Sequence, residues 1–237
     1  MPNHVTTICT VRGRATDIAR FQQNHIRIAD GETRLDFQSV IPMPDVLDGT
    51  VAGTSAELAI FAISGEIPPH YSGRKQTVAT FINGYGMLRG SDVTNQASLH
   101  AWIKTNYPAW LAEGHRSVAA FEETGYYNWY DWCRDEWGTK WNSYDYKRRD
   151  AVDSNPDVFV FQFDTAWSFP EPIFDKLALL YPMLVFAITS FDEGWGFACV
   201  GEFNGQDNYE TVDATAELYE IVYGHKPEIE EPDPKAN

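Results

Sequence analysis

Val158-Phe-Val-Phe-Gln-Phe-Asp164, followed by Ser168-Phe-Pro-Glu171, Leu184-Val-Phe-Ala-Ile-Thr-Ser-Phe191 and Trp195-Gly-Phe-Ala-Cys-Val-Gly-Glu-Phe203, decides the fold class. The first run starts apolar on both faces, as a strand inside a sheet does. Ser168 and Glu171 have the spacing of a capping box, and Ile173, Phe174, Leu177, Leu180 and Tyr181 follow at helical spacing. The two remaining runs read as strands, joined by the turn Asp192-Glu-Gly194 and ended by Asn204-Gly205. Strand, helix, strand and hairpin strand make up most of a split βαβ unit. The fold class is therefore α+β, with a ferredoxin-like mixed or antiparallel sheet. The third strand is expected between the first two. The C-terminal ends of 158–164 and 184–191 then share one rim, roughly 10 Å apart at twice the interstrand spacing. Asp164, Trp167, Asp192, Glu193 and Trp195 should gather there.

Upstream, residues 4–11 are β-branched and read as a strand. Thr16 or Asp17 can cap a helix carrying Ile18, Phe21, His25 and Ile28. Leu35, Phe37, Ser39 and Ile41 alternate as in a second strand, ended by Ile41-Pro-Met-Pro44. Residues 1–44 thus form a βαβ-like unit, expected to join the main sheet because two strands and one helix bury too little alone. Residues 45–124 read as a mostly helical insertion, with helices at 56–63, 96–106 and 109–123 and turn-rich loops at 67–75 and 83–86. Residues 125–224 hold the ferredoxin-like core. In it Asn128 caps a helix with Trp129, Trp132, Cys133 and Trp137 on one face, and Gly138 stops it. That stripe is read as core packing. A last helix is expected within 213–223. Residues 225–237, rich in proline and carboxylates, are expected to be a disordered acidic tail.

The chain has 237 residues and a net charge of −16, from 18 Lys and Arg against 34 Asp and Glu. Nearly all of the excess lies in residues 151–237, where 17 acidic residues face only Lys176, Lys226 and Lys235. Such a balance argues against direct nucleic-acid binding, which needs basic groups to release counterions, and against anionic membranes. No apolar run is long enough to span a bilayer, and the N-terminus lacks a secretory signal, so a cytoplasmic protein is expected. Cys9, Cys133 and Cys199 are far apart without a CxxC, which disfavours both a disulfide framework and a cysteine zinc site.

Catalytic and cofactor motifs are not read in this sequence. There is no GxxxxGK[ST] or GxGxxG, so no cofactor is assigned. The histidines His4, His25, His70, His100, His115 and His225 show no metal-ligand spacing, and no metal is assigned either. Asp164 with Asp192 and Glu193 has the composition of a general acid/base pair or a hard-metal site, although carboxylates at strand ends more often cap turns. Lys147-Arg148-Arg149 reads as a solvated loop. Lys140 and Trp141, beyond the Gly138 stop, are candidates for an exposed ligand-binding pair.

Met1-Pro-Asn-His-Val5, Ile41-Pro-Met-Pro44, Asn128-Trp-Tyr-Asp-Trp-Cys133, Trp137-Gly-Thr-Lys-Trp-Asn142, Phe163-Asp-Thr-Ala-Trp-Ser168 and Phe191-Asp-Glu-Gly-Trp-Gly-Phe197 carry a resemblance. Together they resemble the YubB-type family of plasmid and phage accessory proteins with a ferredoxin-like domain. The resemblance implies cargo of a mobile element acting in the bacterial cytoplasm, and it carries over no catalytic residue. Joined to the acidity, it gives the functional expectation. This is a non-enzymatic protein that binds and inhibits a host protein, such as a defence nuclease, through a DNA-mimicking surface. Expected contacts are Asp164, Trp167, Asp192, Glu193, Trp195, Glu202, Asp207 and Glu210. An enzyme or small-ligand binder using the carboxylate and tryptophan rim is the alternative, and a phage assembly protein is a third.

Overall fold

His4–Arg12 forms β1, and the molecule's larger unit is built around it. The computed structural model describes residues 3–68, 77–149, 155–205 and 208–227. Asp207, His70, most of the expected 67–75 loop and tail residues 228–237 lie outside the described residues. The chain divides into one unit of Met1–Pro42 with Arg134–Asn237 and a second of Met43–Cys133.

In the first unit, β1 leads into α1 (Ala15–His25) and the hairpin β2 (Ile26–Ala29) and β3 (Glu32–Leu35). After residue 133 come β4 (Tyr144–Arg148), β5 (Val158–Ala166), a helix at Glu171–Leu180, then β6 (Val185–Asp192), β7 (Ala198–Phe203) and β8 (Asn208–Val212). A final helix spans Ala216–Tyr223. The six-stranded antiparallel sheet has the order β4-β5-β1-β6-β7-β8. Strands β1, β4, β5 and β6, with the two helices that follow β1 and β5, compose a ferredoxin-like βαββαβ arrangement. Strands β7 and β8 extend it.

This order corrects the expected sheet. The strand between β5 and β6 is β1, and β7 lies outside β6. Beyond Leu35, which ends β3, residues 36–41 are not a strand either. Phe37–Ser39 is a 3₁₀ turn, because Asn142 Oδ1 accepts the Phe37 N–H at 2.9 Å and the Asp36 carbonyl accepts that of Ser39 at 3.0 Å. Lys147 and Arg148 sit on edge strand β4, not on a loop. Two expected caps also differ. The Ser168 hydroxyl donates to the Gly138 carbonyl at 2.6 Å instead of capping its helix. Arg14 occupies the N-cap position of α1, and Asp17 accepts from its guanidinium.

The antiparallel register fixes which residues share a face. Val5, Thr7, Cys9 and Val11 align with Thr165, Phe163, Phe161 and Phe159, and with Asp192, Ser190, Ile188 and Phe186. This inner face is packed by Phe21 of α1 and by Phe174 of the 171–180 helix, both fully buried. The other, outer face carries Thr6, Asp164 and Phe191 at one end, where the 216–223 helix packs its Tyr219, Val222 and Tyr223 against Phe191 and Ala198.

The second unit is helical among its described residues: α2 (Thr54–Ser64), α3 (Val78–Asn83), α4 (Gln96–Asn106), α5 (Pro108–Thr124) and the single turn α6 (Trp129–Trp132). The helices at 171–180 and 216–223 are thus α7 and α8. Leu58, Phe61, Phe81, Leu99 and Ile103 form its core. Asn95 and Ser98 make a reciprocal capping box that starts α4. Asn128 caps α6 as expected, but the chain continues as a π-helical turn, Cys133–Trp137, up to Gly138 at φ +74°. No described helix is long and apolar enough to cross a membrane.

Candidate functional site

The start of β1 stitches together the ends of β5 and β6. Asn3 accepts the Trp167 N–H at 3.0 Å, and the His4 carbonyl accepts that of Glu193 at 3.0 Å. Glu193 Oε1 in turn accepts the His4 N–H at 2.8 Å. All five expected rim residues therefore lie at this end of the sheet, but the register separates them. Asp164 pairs with Thr6 on the outer face, and Asp192 pairs with Val5 on the inner face. A one-residue offset puts side chains on opposite faces of a sheet. The two carboxylates are thus not an acid/base pair.

Asp192 is 4% exposed and serves the turn that follows it. Its Oδ2 accepts the Gly196 N–H at 2.9 Å, and its Oδ1 accepts from the Asn3 amide at 3.3 Å. A Cβ on Gly194 would stand 2.5 Å from that amide, so a larger residue there would push the Asn3 side chain aside. Buried and engaged in this way, Asp192 cannot be a contact residue for a partner. Glu202 forms an ion pair with Arg12 at 3.0 Å, and Glu210 is exposed on β8.

On the outer face, Asp164 stands opposite Tyr144 of β4. Burial, aided by nearby Asp145, raises its carboxyl above the ordinary range, against the opposing hydrogen bond from Thr6. Its Oδ1 has no hydrogen-bond donor among the described residues. The His4 imidazole bonds the Tyr144 hydroxyl through Nδ1 at 2.6 Å. The Tyr144 and Tyr223 phenols are pushed up chiefly by burial and remain neutral donors at neutral pH.

Trp167 and Trp195 follow the ends of β5 and β6. Both are more than 40% exposed, and both hold left-handed backbone, at φ +73° and +59°. For a bulky residue this conformation is strained by about 1–3 kcal/mol and persists only where neighbours over-determine it. Around Trp167 they do so. Thr139 donates to the Ala166 carbonyl at 2.8 Å, and Thr165 donates to that of Ser168 at 2.8 Å. The two rings then go to different places. Trp195 stacks on Tyr219 of α8 at 5.4 Å between centroids. Trp167 lines an open cleft of about 460 Å³ with Arg134, Asp135, Ser168, Glu171, Cys199, Tyr209 and Thr211 among its other walls.

Lys140 and Trp141 do not line this cleft, but Lys140 reaches its Trp167. The Lys140 ammonium lies 4.5 Å from the Trp141 ring centroid and 4.6 Å from that of Trp167. Sequence reasoning missed Arg134, Asp135, Glu171, Tyr209 and Thr211. The signal for the last two was present, because Asn204-Gly205 is a hairpin dipeptide that announces a further strand. The Tyr209 hydroxyl donates to Cys199 Sγ at 3.2 Å. Burial raises the Cys199 thiol, raises Cys9 as well, and pushes Cys133 up to about 12. All three are therefore neutral thiols and poor nucleophiles near pH 7. Within the described residues, no group of three His, Cys, Asp or Glu side chains is placed to hold a metal ion.

Comparison with known proteins adds a match at the level of the domain. Residues 136–226 match the family model described as the ferredoxin-like domain in Api92-like protein. This Api92-like segment runs from the π-helical turn through β4–β8 and α8. It takes in every cleft residue named above except Arg134 and Asp135. Strand β1 lies before the segment yet supplies the middle of its sheet. Among solved structures, the crystal structure of protein Api92 from Yersinia pseudotuberculosis is similar at 12% identity and a TM-score of 0.43. The similarity covers 91% of this chain and 99% of that one. A search of curated proteins found no match.

Proposed function

We propose that this protein acts by recognising another protein through the acidic edge made by β8 and α8. One observation carries the reading: β8 ends the sheet, and no strand pairs with its outer side among the described residues. Glu210, Asp213, Glu217 and Glu220 are exposed on β8, α8 and the link between them, and residues 177–225 contain no Lys or Arg. An unpaired edge invites strand addition by a partner, and its acidity selects a basic one. The resemblance to YubB-type plasmid and phage proteins supports a finer version. The partner is then a nucleic-acid-binding or defence protein of the bacterial host, blocked in the cytoplasm by carboxylates standing where DNA phosphates would.

The test is capture of partners from bacterial lysate by the tagged protein at low and high salt, repeated with Glu210→Lys/Glu217→Lys. A basic protein retained only at low salt, and lost with the reversed charges, is the expected result. Equal retention by both forms at both salt concentrations would overturn the reading. A second reading, a small-ligand binder, is favoured by the volume and aromatic wall of the cleft at Trp167. Saturable binding of a nucleotide in calorimetry, lost in Trp167→Ala, would support it.

A further inference from the structure

The cleft beside β8 has a lining that points to a ligand class. Asp135 and Glu171 contribute carboxylates, Trp167 and Tyr209 contribute aromatic surface, and Thr211 adds a hydroxyl. Trp167 already takes a cation, since the Lys140 ammonium lies 4.6 Å from its ring centroid, within the range of a cation–π contact. Tyr209 and Thr211 lie on the inner-face side of edge strand β8, whereas Glu210 between them points to the other side. A segment added to β8 would alternate its side chains in the same way. Every second one would face the cleft.

We propose that the cleft receives an arginine side chain of the partner segment that pairs with β8. The proposal rests on the reading of β8 as the partner-binding edge. A planar guanidinium can lie against the Trp167 or Tyr209 ring while its N–H groups fork onto Asp135 or Glu171. A volume of about 460 Å³ admits such a side chain with room for water.

The experiment titrates the full chain with N-acetyl-arginine amide and with its neutral isostere N-acetyl-citrulline amide, following tryptophan indole resonances by NMR. The expected result is saturable millimolar binding of the arginine probe that shifts the Trp167 resonance and not that of Trp195. The citrulline probe should bind at least tenfold more weakly. Trp167→Ala should abolish binding. Glu171→Gln, a near-isosteric change at an exposed position, should weaken it several-fold. No saturable binding, equal binding of both probes, or full binding by Trp167→Ala would overturn the proposal. The two ideas fail separately. Loss of lysate capture in Glu210→Lys/Glu217→Lys with no arginine binding leaves the edge reading and removes the subsite. Arginine binding without charge-dependent capture does the reverse.

Discussion

His25 shows how a single side chain carries a measurable property of the fold. It is 5% exposed at the end of α1, and burial together with the Arg27 charge lowers its pKa from 6.5 to about 4, against the pull of Asp36. The Ser39 hydroxyl donates to the Asp36 carbonyl, so the His25 Nδ1–H donates to Ser39 at 2.8 Å in the neutral ring. Because the folded-state pKa lies below the unfolded one, the unfolded chain takes up the proton first as pH falls. The contribution is complete above about pH 6.5 and is lost progressively towards pH 4, by up to about 1.4 kcal/mol per unit. Urea midpoints measured from pH 7 to pH 4.5 should therefore fall more steeply for the native chain than for His25→Asn. Parallel curves would remove His25 as the cause. Residue-scale reading of the sequence was strong for turn chemistry and weak for roles. Asp192-Glu-Gly-Trp-Gly was legible as a turn, yet only the Asn3 and Gly196 bonds show that Asp192 is spent inside it.

At the scale of elements, close backbone approaches decide what each segment tolerates. Gly114 of α5 meets α2, and a Cβ there would stand 2.8 Å from the Ala59 Cβ and 2.7 Å from Ile63 Cδ1. Gly114→Ala gains up to about 1 kcal/mol in helix propensity and loses about 1–3 kcal/mol to overpacking. A lower melting temperature is expected, and a higher one would show that the helices separate freely. Gly201 of β7 is tighter, since its Cβ would lie 2.6 Å from the Asn208 carbonyl oxygen on β8. Gly201→Ala should loosen β8 specifically, raising amide hydrogen exchange at 208–212 while β1 and β5 keep their protection. It should weaken partner capture as well. Strand β1, helices α2, α4, α5 and α7, and strands β5 and β6 were legible within a residue or two because their periodicity is strong, whereas the β2–β3 hairpin, α3 and β8 were not read as elements. Helix α4, at Gln96–Asn106, coincides with the span read from the sequence. Strand β4 was not legible. Its five residues hold two tyrosines, an aspartate and two basic side chains, and only pairing with β5 makes them a strand.

For the whole molecule, charge is the dominant quantity. The excess of carboxylates should make partner association fast at low ionic strength and slow at high, because the screening length falls from about 10 Å at 0.1 M salt to about 3 Å at 1 M. Stopped-flow association rates should drop at least tenfold between 0.05 and 0.5 M salt, with dissociation little changed. A salt-independent association rate would separate the acidity from recognition. The sequence by itself determined the α+β class, the acidic last third, the strands and helix from 158 to 203, and the end of the sheet where a rim would lie. Each follows from local rules: side-chain period, turn residues and formal charge. Only the tertiary structure decided that β1 fills the slot between β5 and β6, because strand order depends on pairing between residues some 150 positions apart. That pairing sets the register. Register, in turn, sent Asp164 and Asp192 to opposite faces, and strand order left β8 at the edge of the sheet among the described residues.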